Sequence, residues 1–333
     1  MKTQALICDE RQKFALAEVQ LPEPGARQML VRTLYSGVSI GTEFALITGK
    51  LSWGPYPLCT GYQAVGVVEK VGPEVKGFSA GDKVYYRSND AGITMNGKPV
   101  SSVAGTHAAH AVMRADTGNV HSLPEGADAA VSSLFVMPAV GLHGADLAQP
   151  RMGQVAVIYG VGLIGLGVVA QCSFRGCVVV AVDVEPRNLL VARQLGADYL
   201  IDASKQDVEK EVRVIAPAGA DVVFEATGIP ACVAPAIELC RDYGSFVWQG
   251  NYGSEPMPYR FLPAHGRHLT MYHPCNDGLA PCRRAVIKQM ASGVLPWDVT
   301  ITHRITAAEA PALYDNINHG NPEKVLGAVI RWS

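Results

Sequence analysis

The chain has 333 residues, 48% hydrophobic and 17% charged, with a formal net charge of −2. That length predicts two domains, and the composition describes a packed globular protein and excludes a disordered one. So weak a charge excludes electrostatic capture of nucleic acid or of an anionic membrane surface.

From the N-terminus, charge at Asp9 and Glu10 interrupts the first residues before any apolar run develops, so no signal peptide is expected. Up to about residue 120, short β-like runs such as Met29 to Leu34 and Ala64 to Val68 alternate with turn signals at Gly72-Pro73 and Gly81-Asp82. Ala127 to Leu147 reads as helical. From Gly153 the pattern becomes strand, helix, strand: an apolar strand at Val155 to Tyr159, a helix to about Phe174, and a second strand at Cys177 to Val182. A helix from Leu189 to Leu195 stops at Gly196. Further strands are predicted at Tyr199 to Ile201, Val222 to Phe224 and Ser245 to Trp248, and this alternation predicts a parallel sheet. The tail ends in a strand from Val325 to Arg331. Val155 to Cys172 is apolar enough to mimic a membrane span, but glycines at 160, 162, 165 and 167 interrupt it, so no membrane association is expected. The eight cysteines are scattered without a C-x-x-C pair, which predicts reduced thiols in a cytoplasmic protein.

Gly160-Val161-Gly162-Leu163-Ile164-Gly165 is a G-x-G-x-x-G turn that leaves a strand and opens a helix. In that context the three glycines allow, in turn, a tight bend, close approach of backbone to a pyrophosphate, and close helix-to-sheet packing. The helix N-terminus offers free N–H groups to phosphate. Asp183 follows Gly165 by 18 residues at the end of the second strand, placed to accept hydrogen bonds from the adenosine ribose. Its charge would repel a 2′-phosphate, so NAD is the expected cofactor over NADP. Arg187 is expected to cover the adenine or face solvent. A glycine-rich turn that binds nothing is the alternative.

The order of segments and several motifs resemble the medium-chain dehydrogenase/reductase superfamily across essentially the whole chain. Ser36-Gly37-Val38-Ser39-Ile40-Gly41-Thr42-Glu43 resembles its G-I-C-G-T-D segment with one residue inserted. Gly61-Tyr62-Gln63-Ala64-Val65-Gly66-Val67-Val68 resembles G-H-E-x-x-G-x-V, and Gly81-Asp82-Lys83-Val84 matches its G-D-x-V turn. Asp221 to Gly228 is similar to a Rossmann strand of the polyol and threonine dehydrogenase branch. The resemblance implies an α/β chain. It implies a GroES-like β-barrel catalytic domain (1–125 with 295–333) joined to a Rossmann doubly wound parallel-sheet domain (126–294). It also implies a cofactor cleft between the domains and a homodimer or homotetramer.

The departures are chemical. Zinc needs thiolate, imidazole or carboxylate donors. The resemblance puts Ser39 or Ile40 at the cysteine position, Tyr62 and Gln63 at the His-Glu positions, and only the Met137 thioether near the last ligand. No cysteine lies between Ser88 and His110, where a structural zinc lobe would need four. Neither zinc is expected, and this variant is similar to a zinc-lacking group that includes bacteriochlorophyllide-type hydroxyethyl dehydrogenases.

Without a metal, a general base and hydrogen-bond donors must handle the substrate hydroxyl. Tyr62 is the first candidate for the substrate oxygen, or else a filler of vacated volume. Glu43 is expected to hold Tyr62 or Ser39, or to form a structural ion pair, and Thr42 to cap a helix or join a proton relay. His143 lies in a segment that in the family reaches the nicotinamide, so it is a candidate base or a packed histidine. Thr227, Gly250 and Asn251 are expected near the nicotinamide. Trp53, Tyr56, Gln63 and His107 are expected to line the substrate pocket. His107 and His110 are three apart on an expected strand, hence on opposite faces, which argues against a shared metal. His265, Arg267, His268 and His273 form a polar run expected at an interface, at a solvated surface or against a hydroxyl-rich substrate.

These readings converge on an NAD-dependent, zinc-independent oxidoreductase of a secondary alcohol such as a sugar, cyclitol or other polyhydroxy compound. A zinc-independent quinone or enoyl reductase and a non-catalytic dinucleotide-binding paralogue are the alternatives.

Overall fold

The computed structural model describes every residue except Trp53, Val103, Ser254 and Pro258, so the expected substrate contact at Trp53 lies outside the described residues. The chain divides into two compact units, residues 1–135 with 287–333, and residues 136–286. Sequence patterning places the divisions near 125 and 295. The segment from 126 to 135 stays with the first unit because it packs there: the Phe135 ring meets Tyr85 edge-on at 5.0 Å.

The first unit is mostly β. Its strands are β1 (Lys2–Cys8), β2 (Phe14–Gln20), β3 (Gln28–Gly37), β4 (Leu58–Cys59), β5 (Ala64–Val71), β6 (Lys83–Tyr86), β7 (Ile93–Met95), β8 (Lys98–Ser102), β9 (His110–Arg114) and β10 (Val120–Ser122). β1, β2, β7, β8 and β4 close into a barrel. The β7–β8 hairpin turns at Asn96-Gly97, both at positive φ (52° and 75°), as a two-residue hairpin loop requires. One helix, Ile40–Ile47, leaves β3 and buries Phe44, Leu46 and Ile47.

The second unit is a parallel sheet of β11 (Val155–Tyr159), β12 (Val178–Asp183), β13 (Tyr199–Asp202), β14 (Ala220–Glu225), β15 (Cys240–Trp248) and β16 (Thr270–Tyr272), in the order β13-β12-β11-β14-β15-β16. Val157, Val180, Val182, Val223 and Phe246 form its core between covering helices. The order reverses beside β11, so the carboxyl ends of β11 and β14 flank the switch point where parallel sheets bind ligands. The segment expected to be helical from 127 to 147 forms two helices, Ala129–Ser132 and Val136–Ala148.

The chain then returns to the first unit as β17 (Ile301–Thr306) and β18 (Gly327–Arg331), completing the sheet β10-β6-β5-β3-β18-β17, with β9 also paired to β3. Helix Ala310–Asn318 packs Leu313, Tyr314 and Ile317 into a core shared with Leu6, Ile47 and Ile330. No helix among the described residues is long and apolar enough to cross a membrane.

Candidate active site

β11 ends at Tyr159, and Gly160 turns the chain at φ +93°, where a Cβ would lie 2.9 Å from the Thr227 nitrogen. Glycine is needed there for both conformation and space. Gly165, in the first turn of helix Leu163–Phe174, has its own constraint. A Cβ there would sit 2.0 Å from the Gly160 carbonyl oxygen, so the helix can approach the strand only without one. Gly162 differs: it is exposed, it starts the helix, and a Cβ there would meet nothing within 4 Å. The protein leaves the space over its backbone clear, as a pyrophosphate beside a helix N-terminus requires.

Asp183 closes β12 with its carboxylate over this turn. It accepts the Val161 N–H at 2.7 Å and the Glu185 N–H at 2.9 Å. The carboxylate therefore shapes the loop. Leu163 and Ile164 carry the helix inward, with Leu163 buried. Arg187 is exposed on helix Pro186–Gln194.

At the neighbouring strand end, sequence reasoning missed the residue that organises the loop. Glu225 is fully buried and ends β14. Its carboxylate accepts the Thr227 N–H at 3.1 Å and the hydroxyls of Thr227 and Tyr252. Its carbonyl accepts the N–H groups of Gln249 (2.9 Å) and Gly250 (2.8 Å). Burial and the adjacent Glu225 carboxylate push the Tyr252 hydroxyl well above the usual tyrosine range. Glu225 thus holds Thr227 through its carboxylate and Gly250 through its carbonyl, and Asn251 follows Gly250 in the chain. A carboxylate closing an apolar strand, two residues before a threonine, was the available signal.

The first unit holds a second buried network. Glu43, four residues past the helix-capping Ser39, is fully buried and accepts the Ser39 N–H at 2.8 Å. It also accepts the His107 Nε2–H at 3.0 Å and the Tyr314 hydroxyl at 2.5 Å. A carboxylate only accepts, so Nε2 carries a proton. His107 Nδ1 lies 2.7 Å from the Ser36 hydroxyl, which accepts the Trp332 indole N–H at 2.8 Å. Burial by itself would raise the Glu43 carboxyl. The His107 charge and the hydrogen bonds from His107, Tyr314 and Ser39 outweigh it and hold the group below the ordinary carboxylate range. The Ser39 hydroxyl is not spent on capping its helix; it accepts the Tyr62 hydroxyl. Tyr62 is buried, with the Arg87 guanidinium 5.1 Å above its ring, and burial pushes its hydroxyl up to about 12.

Several expected contacts stand elsewhere. His107 does not edge a pocket: it is fully buried and held by Glu43, Tyr314 and Ser36, since it precedes β9 and points into the core. His110, on β9, sits near the Thr3 hydroxyl instead. Gln63 is fully buried, and its amide donates to the Gly37 carbonyl at 3.5 Å. His143 is half-buried in the second unit, on helix Val136–Ala148. The polar run from 265 to 273 is dispersed: His265 stacks on Phe261, His268 on Tyr243 and His273 on Trp248, while Arg267 pairs with Glu238 at 2.6 Å.

The donor set does not suit zinc. Tyr62 is a protonated phenol, Gln63 an amide engaged with backbone, Ile40 and Met137 are apolar, and no three His, Cys, Asp or Glu among the described residues converge on a point.

A family model described as "Alcohol dehydrogenase GroES-like domain" matches residues 25–125, and one described as "Zinc-binding dehydrogenase" matches residues 164–290. The chain is 25% identical to an erythritol/L-threitol dehydrogenase of Mycolicibacterium smegmatis, covering 92% of each. It is 24% identical to a sorbitol dehydrogenase of Halalkalibacterium halodurans, covering 94% of this chain and 95% of that one. Among solved structures, it superimposes on a Sinorhizobium meliloti dehydrogenase, described as zinc-binding and bound to NADP. The TM-score is 0.86, at 22% identity and 99% coverage of both chains.

Proposed function

The chain belongs to the medium-chain dehydrogenase/reductase superfamily and is an alcohol dehydrogenase or reductase; from that premise we propose that it moves hydride between NAD and a secondary alcohol without zinc. The observation that carries the NAD reading is the Asp183 carboxylate at the end of β12, beside the unobstructed backbone at Gly162. A carboxylate there hydrogen-bonds ribose hydroxyls and repels a 2′-phosphate. The Sinorhizobium neighbour binds NADP on the same fold, so the choice rests on this residue. The nicotinamide supplies the hydride acceptor or donor when bound.

The residues of the first unit supply proton handling. Tyr62 keeps its proton at neutral pH and orients it through Ser39, whose position Glu43 fixes by holding the Ser39 N–H. Protonated at neutral pH, the phenol donates to the carbonyl oxygen in the reducing direction, and by microscopic reversibility the same oxygen takes the hydroxyl proton in alcohol oxidation. The substrate reading is a sugar, cyclitol or other polyhydroxy compound. The relatives named for erythritol/L-threitol and sorbitol support it. A cytoplasmic setting is supported by eight free cysteines, and a homodimer or homotetramer by the resemblance.

The test is oxidation of a panel of uncharged polyols, followed by reduced-nicotinamide absorbance with NAD and NADP in parallel and metal analysis of the same sample. Turnover with NAD and substoichiometric zinc is expected. A preference for NADP, or activity that tracks bound zinc, would overturn the reading.

A further inference from the structure

We propose that Cys172 and Cys177 form a peroxide-reactive thiol pair, which closes into a reversible disulfide at the C-terminal end of helix Leu163–Phe174. Its chemistry does not depend on the hydride reaction.

Local backbone geometry brings the two side chains together. The helix ends at Phe174, and Gly176 follows the cap residue Arg175 at φ +76°. The Gly176 N–H donates to the Ser173 carbonyl at 2.9 Å, and the Cys177 N–H donates to the Cys172 carbonyl at 3.1 Å. These are the two bonds of a Schellman motif, in which the side chains three positions before the cap and two after it meet. Here both are cysteines, and their thiols hydrogen-bond each other. A disulfide needs close, converging side chains. The motif supplies them, and Gly176 permits the left-handed turn on which it depends.

The two sulfurs are not equivalent. Cys172 is fully buried, whereas Cys177 is 7% exposed and directs its sulfur to the Arg151 carbonyl at 3.5 Å, beneath the exposed residues Arg151, Met152 and Gly153. Burial pushes the Cys59 and Cys240 thiols up to about 12. Cys177 moves the other way. The hydrogen bond from Cys172, helped by the Arg175 guanidinium charge, outweighs burial and lowers it, while Cys172 is raised. Arg175 is itself fixed by the Ala145 carbonyl at 2.6 Å and by an ion pair with Asp146. Cys177 is therefore the attacking thiolate and Cys172 the resolving thiol.

In the first step the Cys177 sulfur bonds to one oxygen of hydrogen peroxide and the O–O bond breaks. The released hydroxide takes the Cys177 thiol proton and leaves as water. The Cys172 sulfur then bonds to the Cys177 sulfur, the S–O bond of the sulfenic acid breaks, and a second water carries off the Cys172 proton. Both thiols are oxidised, together by two electrons, and one peroxide is reduced to two waters. A reduced dithiol reverses the closure by thiol–disulfide exchange.

Hydrogen peroxide in slight excess over the folded full chain tests this. Peptide mass spectrometry without reductant should find Cys172 joined to Cys177, and dithiothreitol should abolish the cross-link. Cys172→Ser should stop at the sulfenic acid, which dimedone traps on Cys177. Cys177→Ser should slow peroxide oxidation of Cys172 at least about tenfold, with exposed Cys275 as the internal standard in each sample. Circular dichroism reports whether each variant is folded, and the wild-type cross-link needs no variant. No cross-link in the native chain, a cross-link only after unfolding in urea, or undiminished Cys172 oxidation in folded Cys177→Ser would overturn the proposal.

Discussion

Gly162 and Gly165 share one motif and have opposite structural constraints. Gly165 has backbone 2.0 Å from where a Cβ would be, and Gly162 has nothing within 4 Å. Gly165→Ala is therefore expected to destabilise the chain by about 1–3 kcal/mol through overpacking, seen as a lower urea midpoint. Gly162→Val should leave that midpoint nearly unchanged and weaken dinucleotide binding at least tenfold, because its side chain takes the space a pyrophosphate needs. If Gly162→Val binds NAD as wild type does, the turn is not the cofactor cradle. Tyr62→Phe makes a parallel test at the proton. It removes one hydrogen bond to Ser39, worth about 1 kcal/mol of stability, and should lower kcat about a hundredfold or more if the phenol is the proton donor. A kcat within threefold of wild type would reduce Tyr62 to a volume filler. The glycines and Asp183 were legible because what they do is set within one β-α unit. The direction of the Tyr62 hydroxyl was not, since it depends on Ser39, 23 residues away.

At the scale of elements, helix Ile40–Ile47 shows how one acid serves two structures. Glu43 stands in the first turn, where a negative charge favours the helix dipole, and reaches back to the Ser39 N–H. It also receives His107 and Tyr314 from segments distant in sequence. Glu43→Ala would strand both partners in the core and should cost about 3–5 kcal/mol. The pH dependence has a definite sign. The folded carboxyl lies below its unfolded value of about 4.3. The stability it contributes is therefore present above that pH and lost as the pH falls through the folded value. Glu43→Gln should be less stable at neutral pH and show a flatter loss as the pH falls below the unfolded value. Equal slopes in denaturant titrations across that window would show that Glu43 does not couple. The β7–β8 hairpin was missed although Asn96-Gly97 announced it, because its strands are too short to show alternation.

For the whole molecule, β16 leaves one edge of the parallel sheet unpaired among the described residues, a ready template for a second copy. Light scattering after gel filtration should give about two or four times the 35.4 kDa of one chain. A monomer at micromolar concentration would refute the assembly reading. The sequence by itself determined the parallel sheet and the glycine turn that leaves its strand β11, because periodicity and side-chain chemistry are local properties. Tertiary structure alone decided that His107, read as a pocket residue, is sealed against Glu43, Tyr314 and Ser36, and that Glu225 gathers Thr227 and Tyr252. Partners as far apart as residues 43 and 314 meet only when a chain that leaves the first unit returns to it. A buried carboxylate then takes whichever donors the packing delivers, since leaving it without them would cost more than the local pattern reveals.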